Sequence, residues 1–233
     1  MLAYLSRLKH SWLGQHVIKT KIIARNRKDL GTSAIKIPWL ASYDFRKIDR
    51  EGYIKEVYDE YVNEVSTADK AISLELAYLL WFILERSRPK LIVDLGSGFS
   101  SFLFRHYQSL NGKDCRVFSC DDDESWMERT ANFLQCKNLS VSELLSWDRF
   151  IAEHNQLRPD LILHDLGHMP VRLKTLPLML NLCSPETIAI VDDVHKSPMR
   201  LALLDQIRGR GLRGYDLTCF TYDRFGRYAW MLY

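Results

Sequence analysis

The chain has 233 residues, of which 47% are hydrophobic and 26% charged, values that exclude a disordered or fibrous protein. Lys and Arg number 32 against 29 Asp and Glu, for a net charge of +3. That excess is too small to announce a basic nucleic-acid face, so no nucleic-acid partner is expected. The longest apolar run, Leu76 to Leu84, has nine residues and cannot span a bilayer.

The five cysteines (Cys115, Cys120, Cys136, Cys183, Cys219) are an odd number and form no C-x-x-C pair. Reduced thiols in a cytoplasmic chain are therefore expected, rather than a disulfide framework or a structural zinc site. The opening stretch MLAYLSRLKHSWLG lacks the unbroken apolar core and small-residue cleavage site of a signal peptide.

Residues 1–30 carry seven Lys or Arg and one acid, Asp29. Leu2, Leu5, Leu8, Trp12, Leu13 and Val17 recur at helical spacing, which predicts an amphipathic helix packed on the main domain with a solvated basic face. A helix lying weakly on an anionic membrane surface is the alternative. Residues 31–50, with Gly31 and Pro38, read as a connecting loop. Helices are predicted from Glu51 to Val65 and from about Ser73 to Arg86, with Thr67 or Asp69 capping the approach to the second.

From Pro89 onward short apolar runs alternate with helical segments. Strands are predicted at LIVDL (91–95), RVFSC (116–120), LSVSELL (139–145), DLILHD (160–165) and TIAIVDD (187–193). The segments SSFLFRHYQSL, ESWMERTANFLQ, VRLKTLPLMLNL and SPMRLALLDQIR between and after them are long enough for crossover helices. The expected fold is α/β, with a mostly parallel sheet covered on both sides. GYDLTCFTYD and RYAWMLY, joined around Arg224-Phe225-Gly226, should close the sheet as an antiparallel hairpin. The division expected is a helical cap or lid over residues 1–70, covering the ligand cleft, and a sheet domain over 71–233.

The most informative segment is Leu91-Ile-Val-Asp94-Leu-Gly96-Ser-Gly98-Phe-Ser100, a strand, a glycine turn and a helix start. Glycines there let a ligand approach the backbone, and the helix start offers free N–H groups. A dinucleotide loop would carry a third glycine where Ser101 stands, which disfavours a nicotinamide-dependent oxidoreductase. Asp94, inside the strand, suits a ligand that carries a positive charge.

The pattern hydrophobic-hydrophobic-Asp-Leu-Gly-Ser-Gly resembles motif I of the class I S-adenosylmethionine-dependent methyltransferases, and the resemblance extends over about residues 70–233. It implies a Rossmann-like, seven-stranded sheet and a bound S-adenosylmethionine. Asp94, Gly96, Ser97 and Gly98 would hold the methionine part, with Ser100 close by. The resemblance makes Asp121, at the end of the second strand, the ligand of the ribose hydroxyls, and a carboxylate there can accept both. Trp147, after the third strand, would lie beside the adenine.

Asp165 ends the fourth predicted strand, with His168 three residues on; Asp192 and Asp193 end the fifth, followed by His195 and Lys196. Three acids at one sheet edge repel one another, so one is protonated or a cation sits among them. Hard oxygen ligands favour Mg²⁺ or Ca²⁺. The set resembles the metal-dependent O-methyltransferases of the catechol and macrolide-sugar groups, which implies Asp165, Asp192 and Asp193 as metal ligands if a metal is used, and His168 as base. Otherwise these acids contact cofactor or substrate directly.

His195 is the rival base, and a largely neutral imidazole suits the role. Arg224 and Arg227 flank the last turn, where they would be solvated or bind an anionic group of the acceptor. The function expected is O-methylation of a small-molecule hydroxyl, as on a sugar or polyketide. A catalytically silent relative that binds partners through its basic helix is the alternative from another class, and self-association into a homo-oligomer stays open.

Overall fold

The computed structural model describes residues 12–233. Seven strands form one sheet in the order β3-β2-β1-β4-β5-β7-β6. They are β1 (Leu91–Leu95), β2 (Arg116–Asp121), β3 (Leu144–Ser146), β4 (Leu161–His164), β5 (Ile188–Val191), β6 (Gly214–Asp216) and β7 (Trp230–Leu232). The first five pair in parallel, and β7 inserts antiparallel between β5 and β6. The helices are α1 (Trp12–Leu30), α2 (Tyr53–Glu64), α3 (Leu74–Ser87), α4 (Phe99–Asn111), α5 (Glu124–Cys136), α6 (Trp147–His154), α7 (Met169–Leu182) and α8 (Ser197–Arg210).

The sheet is buried on both faces because every central strand is apolar on both. In β1, Ile92 joins a layer with α2, α3, α4 and α5, while Val93 and Leu95 join a layer with α6, α7 and α8. Leu161, Leu163, Ile188 and Ile190 of β4 and β5 follow Ile92, and Ile162, Ala189 and Val191 follow Val93. This period of two leaves Asp94 on the α4 face, where it is fully buried.

The third strand is shorter and later than LSVSELL predicts. Asn138 and Glu143 take left-handed backbone, and Ser140 and Ser142 bond each other, so 138–143 is a turn. The last two strands pair antiparallel as expected, over three residues each, with a helical turn at Thr218–Thr221 in the connection. The cap of α3 is Ser73, whose Oγ accepts from Leu76 N at 3.0 Å, rather than Thr67 or Asp69. A short turn of helix, Phe45–Ile48, interrupts the segment expected as loop, and Asp44 caps it.

Leu2, Leu5 and Leu8 lie outside the described residues. From Trp12 onward the predicted N-terminal helix continues to Leu30 and packs against the β6 edge of the sheet. Asn26, fully buried, donates to Asp216 Oδ1 at 3.1 Å and to Thr218 Oγ1 at 3.2 Å. Asp29 pairs with Arg200 of α8. Helix α1 thus seals an edge, and the cleft is bordered instead by Tyr61 of α2 and by residues 69–72. No helix among the described residues is long and apolar enough to cross a membrane.

Arg227 is the main tie between that border and the C-terminal segment. Its Nε pairs with Asp223 Oδ2 at 2.7 Å, Nη1 donates to the carbonyls of Asp69 (2.9 Å) and Ala71 (2.8 Å), and Nη2 donates to Ala68 O at 2.8 Å. The side chain is buried and its Nε, both Nη1 hydrogens and one Nη2 hydrogen are engaged, so it is not solvated and has no free fork for an anionic acceptor. Arg227→Met would leave three carbonyls and Asp223 without their donor. The expected result is a loss of about 3–5 kcal/mol, read as a lower denaturation midpoint. A midpoint unchanged in urea would show that the 68–71 segment holds itself.

Candidate active site

A cleft of about 610 Å³ opens at the carboxyl ends of β1, β2, β4 and β5. That is the edge at which open α/β sheets bind ligands, and the volume suits a cofactor-sized molecule. The expected residues Gly96, Ser97, Gly98, Ser100, Asp121, Asp165, His168, Asp192, Asp193 and His195 all line it; Asp94 and Trp147 do not.

The glycine turn follows β1 directly. Gly96 has φ of 110°, and a Cβ there would lie 2.5 Å from the carbonyl oxygen of Asp165. A Cβ on Gly98 would fall 3.1 Å from Tyr61 Oη. The turn therefore packs bare backbone against the end of β4 and against Tyr61 of α2, and both glycines line the cleft.

Asp94 acts on this turn from below. Its Oδ2 accepts from Ser101 Oγ at 2.6 Å and Ser119 Oγ at 2.9 Å, and Ser101 Oγ accepts from Gly98 N at 3.2 Å. Burial pushes the Asp94 carboxyl up to about 6, against the pull of the serine hydroxyls and Arg105. Arg105, also buried, donates to Ser119 Oγ at 2.6 Å, so acid and base share one hydroxyl. Asp94 is in this way a support for the turn rather than a group facing the cleft.

Asp121 ends β2, with Oδ2 accepting from Ser97 N at 2.7 Å and Ser97 Oγ at 3.0 Å, and Oδ1 accepting from Asp123 N at 3.1 Å. Burial raises its pKa against these donors. Ser97 spends its donors on Asp121, and its carbonyl accepts from Trp126 Nε1 at 2.6 Å. Asp123 caps α5 through Trp126 N at 3.0 Å and puts a negative charge at the helix start. Asp122 does something the sequence alone does not suggest: it reaches the β4–α7 turn, where a Cβ on Gly167 would collide with its carboxylate.

Trp147 opens α6 and stacks on Phe150, with centroids 6.2 Å apart, in the layer beneath the sheet. The indole at the Asp121 end of the cleft is Trp126. Tyr61 also goes unnoticed in the sequence. Its buried hydroxyl approaches Thr130 without an aligned hydrogen bond, and burial pushes its pKa well up.

At the other end of the cleft stand Asp165, Asp192 and Asp193. The cation among them is Arg172, from the first turn of α7. Its Nη2 lies 2.5 Å from Asp165 Oδ1, and its Nη1 lies 2.7 Å from Asp193 Oδ2. Lys196 Nζ adds a contact to Asp193 Oδ2 at 2.6 Å. Burial raises the pKa of Asp165 and of Asp192, and the neighbouring carboxylates raise both further against Arg172. Asp193, although burial opposes it, is held below the usual range by Arg172 and Lys196.

This arrangement does not fit a divalent ion. Asp165 Oδ1 faces the guanidinium, Asp193 Oδ2 is shared by that guanidinium and the Lys196 ammonium, and Asp192 Oδ1 accepts from Asp193 N at 2.7 Å. Each carboxylate thus already has an oxygen committed, and two cations stand where the ion would. Among the described residues no three His, Cys, Asp or Glu side chains are placed to hold a metal. Of the two possibilities the sequence leaves open, a cation among the acids is present as Arg172, and the counter-charge comes from the chain itself.

The two histidines differ in support. His168 is the exposed cap residue of α7. His195 is half-buried, with Nδ1 3.4 Å from Asp193 Oδ1 at ion-pair distance, though not in an aligned hydrogen bond. Burial lowers its pKa, against the pull of Asp193.

No protein-family model matches the sequence, and no curated protein matches it. Solved structures do match. The O-methyltransferase TomG from Streptomyces achromogenes, involved in tomaymycin synthesis and solved with S-adenosylmethionine, is similar with a TM-score of 0.57 at 15% identity, over 77% of this chain and 87% of that one. An O-methyltransferase from Bacillus cereus, in complex with S-adenosylhomocysteine, gives 0.54 at 12% over 77% and 88%. The methyltransferase PaMTH1 from Podospora anserina, bound to S-adenosylhomocysteine, gives 0.53 at 13% over 91% and 93%. This chain has the fold of the class I S-adenosylmethionine-dependent O-methyltransferases.

Proposed function

We propose that the protein is an S-adenosylmethionine-dependent methyltransferase acting on an oxygen of a small-molecule acceptor, such as a sugar or polyketide hydroxyl. The observation that carries the reading is the cleft itself, lined by a glycine turn at the end of β1 and a buried carboxylate at the end of β2, on this sheet. Five unpaired cysteines suit a reducing compartment, and we place the protein in the cytoplasm. In the described part of the expected lid, α1 is a sealing segment at the sheet edge, and α2 with residues 69–72 borders the cofactor cleft.

S-adenosylmethionine, when bound, would supply an electrophilic methyl: the acceptor oxygen would bond to the methyl carbon in line as the carbon–sulfur bond breaks, with S-adenosylhomocysteine as the leaving thioether. Asp121 has lone pairs for the ribose hydroxyls, and Trp126 offers a face near the adenine end. The bare backbone of Gly96 to Gly98 and the Tyr61 hydroxyl take the methionine end. His195, its Nδ1 turned to Asp193, has Nε2 left to receive the acceptor's proton. Burial lowers its pKa, which favours the neutral imidazole that a base requires.

The reading is tested by methyl transfer from labelled S-adenosylmethionine to a panel of hydroxylated acceptors. His195→Ala is expected to lower kcat by roughly 10²–10⁴-fold with cofactor affinity kept, and His168→Ala much less. The reverse ranking would assign the base to His168. Cofactor binding with no transfer to any acceptor class would favour the catalytically silent alternative.

A further inference from the structure

Arg172 is an unusual residue in its place. It sits in the first turn of α7, where the helix dipole disfavours a positive charge. It is nonetheless buried and held from four directions: Nε donates to Gly167 O at 2.9 Å, Nη2 to Asp165 O at 3.0 Å, and the two ends of the fork meet Asp165 Oδ1 at 2.5 Å and Asp193 Oδ2 at 2.7 Å. Two backbone carbonyls of the β4–α7 turn thus hold the same side chain that joins the carboxylates of β4 and β5. A surface arginine reaching for a convenient acid would not be anchored on both sides.

The charges around it explain why the chain bears this cost. Asp165, Asp192 and Asp193 converge at the strand ends, and without a cation their repulsion would force protonation or separation. A guanidinium cannot lose its proton in a protein, so it supplies a permanent positive charge in a planar, two-armed form. It bridges two carboxylates on separate strands, as an ion would. Lys196 reaches only Asp193, and Arg227 is committed to Asp223 and the 68–71 carbonyls, so neither can substitute. Asp193 takes left-handed backbone, φ 60°, and presents Oδ2 to Arg172 and Lys196 and Oδ1 to His195.

We propose that Arg172 is the resident cation of this acidic cluster, excluding divalent metal from it, and that acceptor chemistry in this cleft runs without a metal ion. Only the second half rests on the methyltransferase reading. Removing the guanidinium then leaves three carboxylates at the strand ends without their counter-charge, and a hard divalent ion that draws their oxygens together can replace it.

The test uses Mn²⁺ on the full chain, with the free-ion signal read by electron paramagnetic resonance. Wild type is expected to leave that signal as in buffer up to millimolar Mn²⁺. Arg172→Ala is expected to bind one Mn²⁺ per chain and to melt higher when Mn²⁺ is added, and Asp165→Asn in the same background to lose both effects. A merely structural arginine would give destabilisation and no gained ion. Arg172→Gln, which keeps hydrogen-bond donors without the charge, replaces the alanine variant if that fails to fold. The proposal is overturned if wild type binds one Mn²⁺ that Asp193→Asn abolishes, or if a folded Arg172 variant binds none. Titrating the same wild-type sample with S-adenosylmethionine by calorimetry, metal-free, keeps the two readings apart: absent cofactor binding counts against methyl transfer and leaves the Mn²⁺ result standing.

Discussion

Gly96→Ala is expected to destabilise the protein by about 3 kcal/mol or more and to abolish cofactor binding. The added methyl meets backbone, not a side chain that could turn aside: the carbonyl oxygen of Asp165 at 2.5 Å, its carbon at 2.6 Å and Leu166 N at 3.0 Å. Leu95 O accepts from Asp165 N at 2.6 Å, so the two strand ends are locked together and cannot separate without losing that bond. The φ of 110° adds strain for any L side chain. Strained backbone and overpacking each cost about 1–3 kcal/mol, and both apply. For a chain of this size that is a fall of roughly 10 °C in melting temperature. A variant melting within a degree of wild type would show that the turn yields more easily than these distances imply.

Asp94→Ala should cost about 3–5 kcal/mol, because it strips a buried arginine of its counter-charge. Asp94 and Arg105 do not touch; they meet on Ser119 Oγ, at 2.9 Å and 2.6 Å. Burial pulls the Arg105 pKa down to about 10 even with the carboxylate present. The same substitution frees Ser101, which orients Gly98 N, so cofactor affinity falls together with stability. Arg105→Met in the Asp94→Ala background should restore part of the lost stability without restoring affinity, since it removes the stranded charge but not the defect in the turn. A double variant no more stable than Asp94→Ala would sink the coupling through Ser119.

Much of this architecture is legible in the order of the amino acids. Strands buried on both faces are continuous apolar runs, and their ends are marked by the acids that solvent and ligand require there. Asp121, Asp165, Asp192 and Asp193 each stand at the end of such a run, and a parallel sheet necessarily brings those ends to one edge. What the sequence conceals is which partner each charge takes. Arg172 in VRLKTLPLMLNL looks like any polar-face residue of a crossover helix, and only its position in the first turn hints otherwise. Arg227 sits in a turn, where basic residues are usually solvated, and its carbonyl partners lie more than 150 residues away. Trp126 and Trp147 each open the helix after a strand, and composition alone gives no reason to prefer one for the cleft. Tyr61 belongs to a helix outside the motif-bearing region, so nothing local announces that it borders Gly98.

The central claim is that this cleft holds S-adenosylmethionine with Asp121 on the ribose. The most direct measurement is calorimetric titration of the full chain with S-adenosylhomocysteine, S-adenosylmethionine and NAD. Both adenosyl ligands should bind one per chain. Asp121→Ala should weaken each by about 2 kcal/mol or more, roughly thirtyfold, with circular dichroism unchanged, and NAD should give no heat. Binding of NAD without the adenosyl ligands, or an Asp121→Ala variant that binds them as wild type does, would contradict the account.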